Sequence, residues 1–157
     1  MPISLAGARE SNLLMQMLGD EDDAEEEEEA EGGRDPIPLD NVAPEVLGKI
    51  VEFCEHNSAT PMGTIPKPIT SSEMGDMVGE WEARFVNDMP QELLFEVIKG
   101  ANYMDISALL DLTCAKVATM IRGKTPEEIR TMFDIENDFT PEEEARVREE
   151  NKWCEDL

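Results

Sequence analysis

The sequence predicts a mostly α-helical protein, and three observations favour this class. Apolar residues recur at helical spacing in five or six segments, helix-starting motifs precede several of them, and the apolar alternation typical of strands is nearly absent. With 157 residues and 40% hydrophobic content, the chain is long enough to bury a core. The 10 methionines predict a core or a partner surface that adapts to its contacts.

The N-terminal third carries the weakest structural signals. Pro2–Leu5 could form a very short strand, and Arg9–Leu18 has the apolar spacing of a short helix. Ten acidic residues lie between Asp20 and Glu31. Their mutual repulsion and the lack of apolar side chains predict that Asp20–Gly33 is a disordered, solvated linker.

A helix is predicted after the extended segment Pro36–Leu39, beginning near Pro44 and fading near Asn57. Its apolar stripe consists of Val46, Leu47, Ile50, Val51 and Cys54. The proline-rich stretch Ser58–Ser72 then predicts a long loop.

Two further helices follow this loop. The first has one apolar face, made of Met74, Met77, Val78, Trp81 and Phe85. The second has Asp88 as its expected cap, Pro90 near its first turn and Gly100 loosening its end. Its stripe is Leu93, Leu94, Val97 and Ile98.

The segment Asn102–Ile106 is expected to connect that helix to a longer one. Ser107 is the expected cap of this longer helix, which runs to Arg122 and ends at Gly123. Because its residues are apolar on more than one side, we expect this helix to lie at the centre of the core.

The same four residues, Thr-Pro-Glu-Glu, begin at Thr125 and again at Thr140. A threonine cap with glutamate three residues later forms a capping box, and proline suits the first helical position. The predicted helices are Pro126–Phe133 and Pro141–Trp153. The second has little apolar surface, so it either lies solvated with Trp153 against its own domain or becomes ordered when a partner packs on it.

Charge and cysteine content exclude several classes of function. The net charge of -24 should repel nucleic acids and anionic membranes and favour basic partners. The odd number of cysteines, without a C-x-x-C pair, suits a reducing compartment. The sequence shows neither a membrane span nor a signal peptide, so we expect a cytoplasmic and nuclear protein.

His56 and Cys54 provide too few ligands for a metal site. The more ordinary interpretation is an exposed histidine beside a buried thiol.

No catalytic motif is visible. The chain lacks a nucleophile elbow, a glycine-rich phosphate loop and an H-E-x-x-H sequence. Asp134–Asp138 lacks the central glycine of a calcium-binding loop. We therefore expect no enzyme activity, no metal and no cofactor.

Several separate motifs, in the right order, closely resemble the S-phase kinase-associated protein 1 family. They are Pro36–Val42, Ala101–Ile106, Leu109–Cys114, Gly123–Arg130, Asn137–Glu144 and Glu150–Cys154. The resemblance covers about Asp35–Leu157. It implies a BTB/POZ-type α/β core followed by C-terminal helices, with a truncated N-terminal portion and acidic linker at 1–35, the core at 36–106 and an F-box-binding, dimerisation-type region at 107–157.

The resemblance also implies a function and its residues. Family members are adaptors of SCF ubiquitin ligases that bridge a cullin N-terminal domain to F-box substrate receptors. Asn102 and Tyr103 would lie at the cullin contact, and Pro141 matches a proline that some protist members hydroxylate and glycosylate. The F-box surface, through which a weak homodimer could also form, would be lined by Val117, Met120, Ile121, Ile129, Phe133 and Trp153.

The N-terminus departs from the family pattern. The family's first residues normally form a β-hairpin, and about a dozen of these residues have no counterpart around Pro2–Arg9. Loss of the hairpin would leave unpaired edges and exposed apolar helix faces, chiefly in the cullin-binding half. An alternative function is an acidic chaperone for histones or other basic proteins, acting through Asp20–Glu31.

Overall fold

The computed structural model describes residues 1–19 and 36–152. Over those ranges the chain forms helices and loops and no strand, which confirms the mostly helical prediction. The helices are α1 (Leu5–Ala8), α2 (Asn12–Leu18), α3 (Pro44–Ala59), a 3₁₀ turn (Met74–Asp76), α4 (Glu80–Asn87), α5 (Gln91–Tyr103), α6 (Ser107–Ile121), α7 (Pro126–Phe133) and α8 (Pro141–Glu150). They divide into a first unit, Met1–Arg122, and a second unit, Gly123–Leu157.

The short strand expected at Pro2–Leu5 is not formed. Leu5 begins α1 instead, because the Ser4 hydroxyl accepts from the Gly7 N–H and caps the turn. The predicted helix from Arg9 begins only at Asn12, where Ser11 provides the cap. The predicted disorder of Asp20–Gly33 lies outside the described residues.

The core of the first unit is formed chiefly by α3, α5 and α6. On α3, Ile50 and Cys54 are fully buried as the stripe predicts, and so is Phe53, which the stripe omits. We expected loss of the hairpin to leave apolar helix faces exposed, but α1 and α5 pack against α3. Ser4 joins α1 to this helix, because its N–H and hydroxyl donate to the Glu55 carboxylate.

The single helix face predicted over Met74–Phe85 is interrupted. A 3₁₀ turn ends at Asp76, and α4 begins at Glu80 after Gly79. Glycine is unfavourable inside a helix, and the sequence places one at 75 and another at 79. Met74 and Phe85 are nevertheless buried in the same core, so the apolar pattern identified core residues although the helix is broken.

The expected boundaries of α5 and α6 also need correction. Asp88 ends α4 and does not cap α5, which Pro90 precedes. Gly100 does not loosen α5, since the helix continues to Tyr103. Ser107 is the first residue of α6 but gives no side-chain cap.

The central position predicted for α6 within its unit is visible in its burial. Leu109 and Leu112 are fully buried, and Thr113 is buried with its hydroxyl donating to the Leu109 carbonyl at 2.8 Å. The helix stops before Gly123, whose φ of 68° lies in the left-handed region.

The second unit begins with both predicted helix starts. Thr125 and Thr140 each accept from the N–H three residues on, and Glu128 and Glu143 reach back, so both capping boxes are complete. α7 has the predicted bounds, whereas α8 ends at Glu150 and not at Trp153. Trp153 lies outside the described residues.

Candidate partner-binding surfaces

Asn102 and Tyr103 lie in the last turn of α5, where the sequence suggested a connector. Both side chains are exposed, and Tyr103 is 40% accessible. The residues on either side, Ala101 and Met104, are buried. The helix end therefore presents an amide and an aromatic ring to solvent on a buried support.

The turn after Tyr103 is held by α2. The Ser11 hydroxyl is buried and donates to the Met104 carbonyl at 2.6 Å. The Asn12 N–H donates to the Asp105 carbonyl at 3.3 Å, and its side-chain amide donates to the Asp105 carboxylate at 2.9 Å. Asp105 itself has a φ of 52°. These bonds fix the backbone that carries Asn102 and Tyr103.

Three predicted F-box residues lie in the C-terminal half of α6, in the first unit. Val117 and Met120 are half-buried and pack on the core, whereas Ile121 is 38% exposed. Two more, Ile129 and Phe133, are half-buried on α7 in the second unit. Trp153, the sixth, is among the residues that the structure does not describe.

The second unit exposes apolar side chains outside the predicted F-box set. From Gly123 to Lys152 no side chain is buried, and the accessible fractions of Ile135, Phe139 and Val147 are 53%, 47% and 38%. Phe139 could have been noticed in the sequence, because it is an aromatic residue directly before the capping Thr140. These three side chains are thus available to a partner in addition to the predicted F-box residues.

Charged side chains connect α7 with α8. Arg130 Nη1 lies 3.3 Å from Glu144 Oε1, and Arg148 Nη2 lies 2.9 Å from Glu127 Oε1. The Arg130 guanidinium also lies 5.8 Å from the centre of the Phe139 ring. Hydrogen bonds from the Thr140 N–H and hydroxyl lower the pKa of Glu143 below its ordinary value. From Gly123 to Lys152 the unit is thus held by caps and ion pairs, with little buried apolar area.

Two family models match the chain. One is described as the Skp1 family tetramerisation domain and matches residues 3–59. The other is described as the Skp1 family dimerisation domain and matches residues 107–154.

Curated relatives cover nearly the whole chain. It is 48% identical over 149 residues to the S-phase kinase-associated protein 1 homolog of Tetrahymena thermophila, covering 95% of this chain and 84% of that protein. The chain belongs to the Skp1 family. Another relative is the E3 ubiquitin ligase complex SCF subunit sconC of Arthroderma benhamiae, which is 46% identical to this chain; the match covers 95% of this chain and 85% of that protein. The Skp1-related protein of Caenorhabditis elegans is also 46% identical, and the match covers 92% of this chain and 78% of that protein.

Membership of the Skp1 family confirms the resemblance predicted from the motifs. The predicted roles of individual residues, from Asn102 to Trp153, and the predicted domain boundaries stay predictions. So does the modification of Pro141, which is the first residue of α8 and is exposed.

His56 differs from the exposed residue that we expected in this Skp1-family chain. Its ring stacks on Trp81 at 3.7 Å, and its side chain is only 26% exposed. The neighbouring thiol is buried as predicted, and burial raises the pKa of Cys54 to about 12. Across 1–19 and 36–152, no cluster of three or more potential metal ligands is found, and no helix is long and apolar enough to cross a membrane.

Proposed function

We propose that this Skp1-family chain is a non-catalytic adaptor subunit of an SCF-type ubiquitin ligase, bridging a cullin to F-box substrate receptors. The observation that carries the proposal is its identity of 43–48% with Skp1 homologues and SCF subunits over more than nine tenths of its length. We also propose a cytoplasmic and nuclear location, where those partners would be met.

The mechanism is proximity. An adaptor holds the substrate receptor on the same scaffold as the ubiquitin-charged conjugating enzyme, which raises the effective concentration of substrate near the reactive thioester. The chain itself supplies binding surfaces and no reacting group.

We assign the two partners to two different sets of residues. The cullin would contact Asn102 and Tyr103, which stand exposed at the end of α5. F-box helices would contact the apolar residues of α6, α7 and the tail, where Met120 offers a flexible side chain that accepts related helices. Trp153 would add an aromatic side chain to this contact.

The test is co-expression with an F-box segment and a cullin N-terminal fragment, followed by size-exclusion chromatography with light scattering. A complex containing one copy of each is expected. Elution of the chain separately from both partners would refute the adaptor proposal.

A deletion distinguishes the adaptor from an acidic chaperone. Removing Asp20–Glu31, which takes away ten acids, should leave F-box capture unchanged. If the chain instead acted as a chaperone, the intact protein would bind histones and the deletion would abolish that binding. Loss of F-box capture on deletion would contradict the assignment of the F-box surface to the C-terminal region.

A further inference from the structure

Arg130 contacts several parts of the second unit. It forms the ion pair with Glu144 of α8, and its guanidinium faces Phe139, the residue before the α8 cap. Its carbonyl accepts from the N–H groups of Asp134 and Ile135 where α7 ends. One residue therefore contacts the end of α7, the connecting loop and the first turns of α8.

The Arg130–Glu144 pair is also the better protected of the two pairs that join α7 with α8. The side chains of Arg130 and Glu144 are 20% and 33% exposed, against 58% and 55% for Arg148 and Glu127. Solvent and salt weaken an exposed pair more than a partly buried one. Because no side chain from Gly123 to Lys152 is buried, apolar packing contributes little to holding the two helices together.

We propose that Arg130 is a positioning residue for partner binding: through Glu144 and Phe139 it sets the placement of α8 relative to α7. This inference rests on the proposed function, since the partner is an F-box helix pair. If α7 and α8 are already arranged for binding, less conformational entropy is lost when the partner binds, and the affinity is higher.

The first experiment needs no partner. Amide hydrogen exchange of α8 in the full chain is compared for wild type, Arg130→Gln and Arg146→Gln. Arg146 is a matched control on α8, exposed and without an ion pair to any residue in the described ranges. Arg130→Gln should raise α8 exchange about fivefold, whereas Arg146→Gln should leave it within twofold. Added salt should accelerate α8 exchange in wild type more than in Arg130→Gln, which loss of packing alone would not cause.

The second experiment measures the dissociation constant for an F-box segment by calorimetry. Arg130→Gln and Glu144→Gln should each weaken binding about fivefold, and the double variant should be no weaker than either. Arg130→Lys keeps the charge but loses the planar group and should fall between wild type and Arg130→Gln. The exchanged pair, Arg130→Glu with Glu144→Arg, should recover part of the loss.

The outcomes separate the two proposals. If wild type binds no F-box segment, the proposed function fails, and the exchange data still decide whether Arg130 places α8. If wild type binds and Arg130→Gln binds equally well, the positioning role is overturned. Equal α8 exchange in Arg130→Gln and Arg146→Gln would overturn it as well.

Discussion

Gly100 of α5 packs so closely on Ile50 of α3 that a Cβ atom at position 100 would lie 2.7 Å from Ile50 Cδ1. Val46 Cγ1 would be 3.1 Å away. Ile50 is fully buried and Gly100 is buried, so α3 and α5 approach here with no room for a methyl group.

We predict that Gly100→Ala destabilises the first unit by about 1 kcal/mol, because a crowding cost of about 1–3 kcal/mol exceeds the gain in helix propensity of about 1 kcal/mol. Urea denaturation measures the change. Gly48→Ala on α3 is the matched control, since its Cβ would meet only Met1 Cε at an ordinary 3.6 Å and should be neutral or stabilising. Adding Ile50→Val should relieve part of the Gly100→Ala loss. Equal effects at positions 48 and 100 would contradict the close approach.

Cys54 predicts a dependence of stability on alkaline pH. Burial raises the pKa of the Cys54 thiol from its ordinary value of 9.0 to about 12 in the folded state, so the unfolded chain releases this proton first. The contribution of this thiol to the free energy of unfolding is fully present below pH 9. It is lost as pH rises toward 12, at about 1.4 kcal/mol per pH unit. Unfolding free energies between pH 9 and 11 should fall more steeply in wild type than in Cys54→Ala. Parallel slopes would show that this thiol does not titrate differently on folding.

Ser11 should be the most sensitive residue of the N-terminal segment. Its buried hydroxyl caps α2 and donates to the Met104 carbonyl, so Ser11→Ala should cost about 2 kcal/mol. Asn12→Ala, at an exposed neighbour, should cost about 0.5 kcal/mol or less. Thermal unfolding compares the two variants. If both lower the melting temperature equally, the buried bond is not what holds α2 to the turn after α5.

Trp153→Ala should weaken F-box binding by about 2 kcal/mol, as expected of a tryptophan buried in an interface, while the melting temperature stays nearly constant. Calorimetry with an F-box segment measures the first effect. Trp81 is the other tryptophan and lies in the first unit, where its emission checks that the fold is intact. An unaltered dissociation constant would remove Trp153 from the F-box surface.

Local signals predicted the starts of the two C-terminal helices well, because the causes of a helix start are local. The two Thr-Pro-Glu-Glu motifs formed the expected capping boxes, and α7 has the predicted bounds, since a cap depends only on residues three positions apart. The stripe on α3 likewise identified Ile50 and Cys54 as buried.

Features that depend on distant contacts were missed. Nothing near Gly100 shows that Ile50, fifty residues earlier, needs the space that it leaves. Asp88 looked like a cap for the following helix, but the preceding helix α4 ends on it. The pairing of Ser4 with Glu55 and of Arg130 with Glu144 could not be foreseen, because charged and polar residues are too frequent in this chain for any pair to stand out.

Bridging requires that the two partners bind at the same time, and titration of the cullin fragment onto a preformed complex of the chain with an F-box segment tests this most directly. We predict a dissociation constant within about threefold of that for the chain alone, since the proposed cullin and F-box residues do not overlap. We also predict a mass equal to one copy of each component, and loss of the cullin alone when Asn102 and Tyr103 are both replaced by lysine. Displacement of the F-box segment by the cullin fragment would contradict the adaptor function.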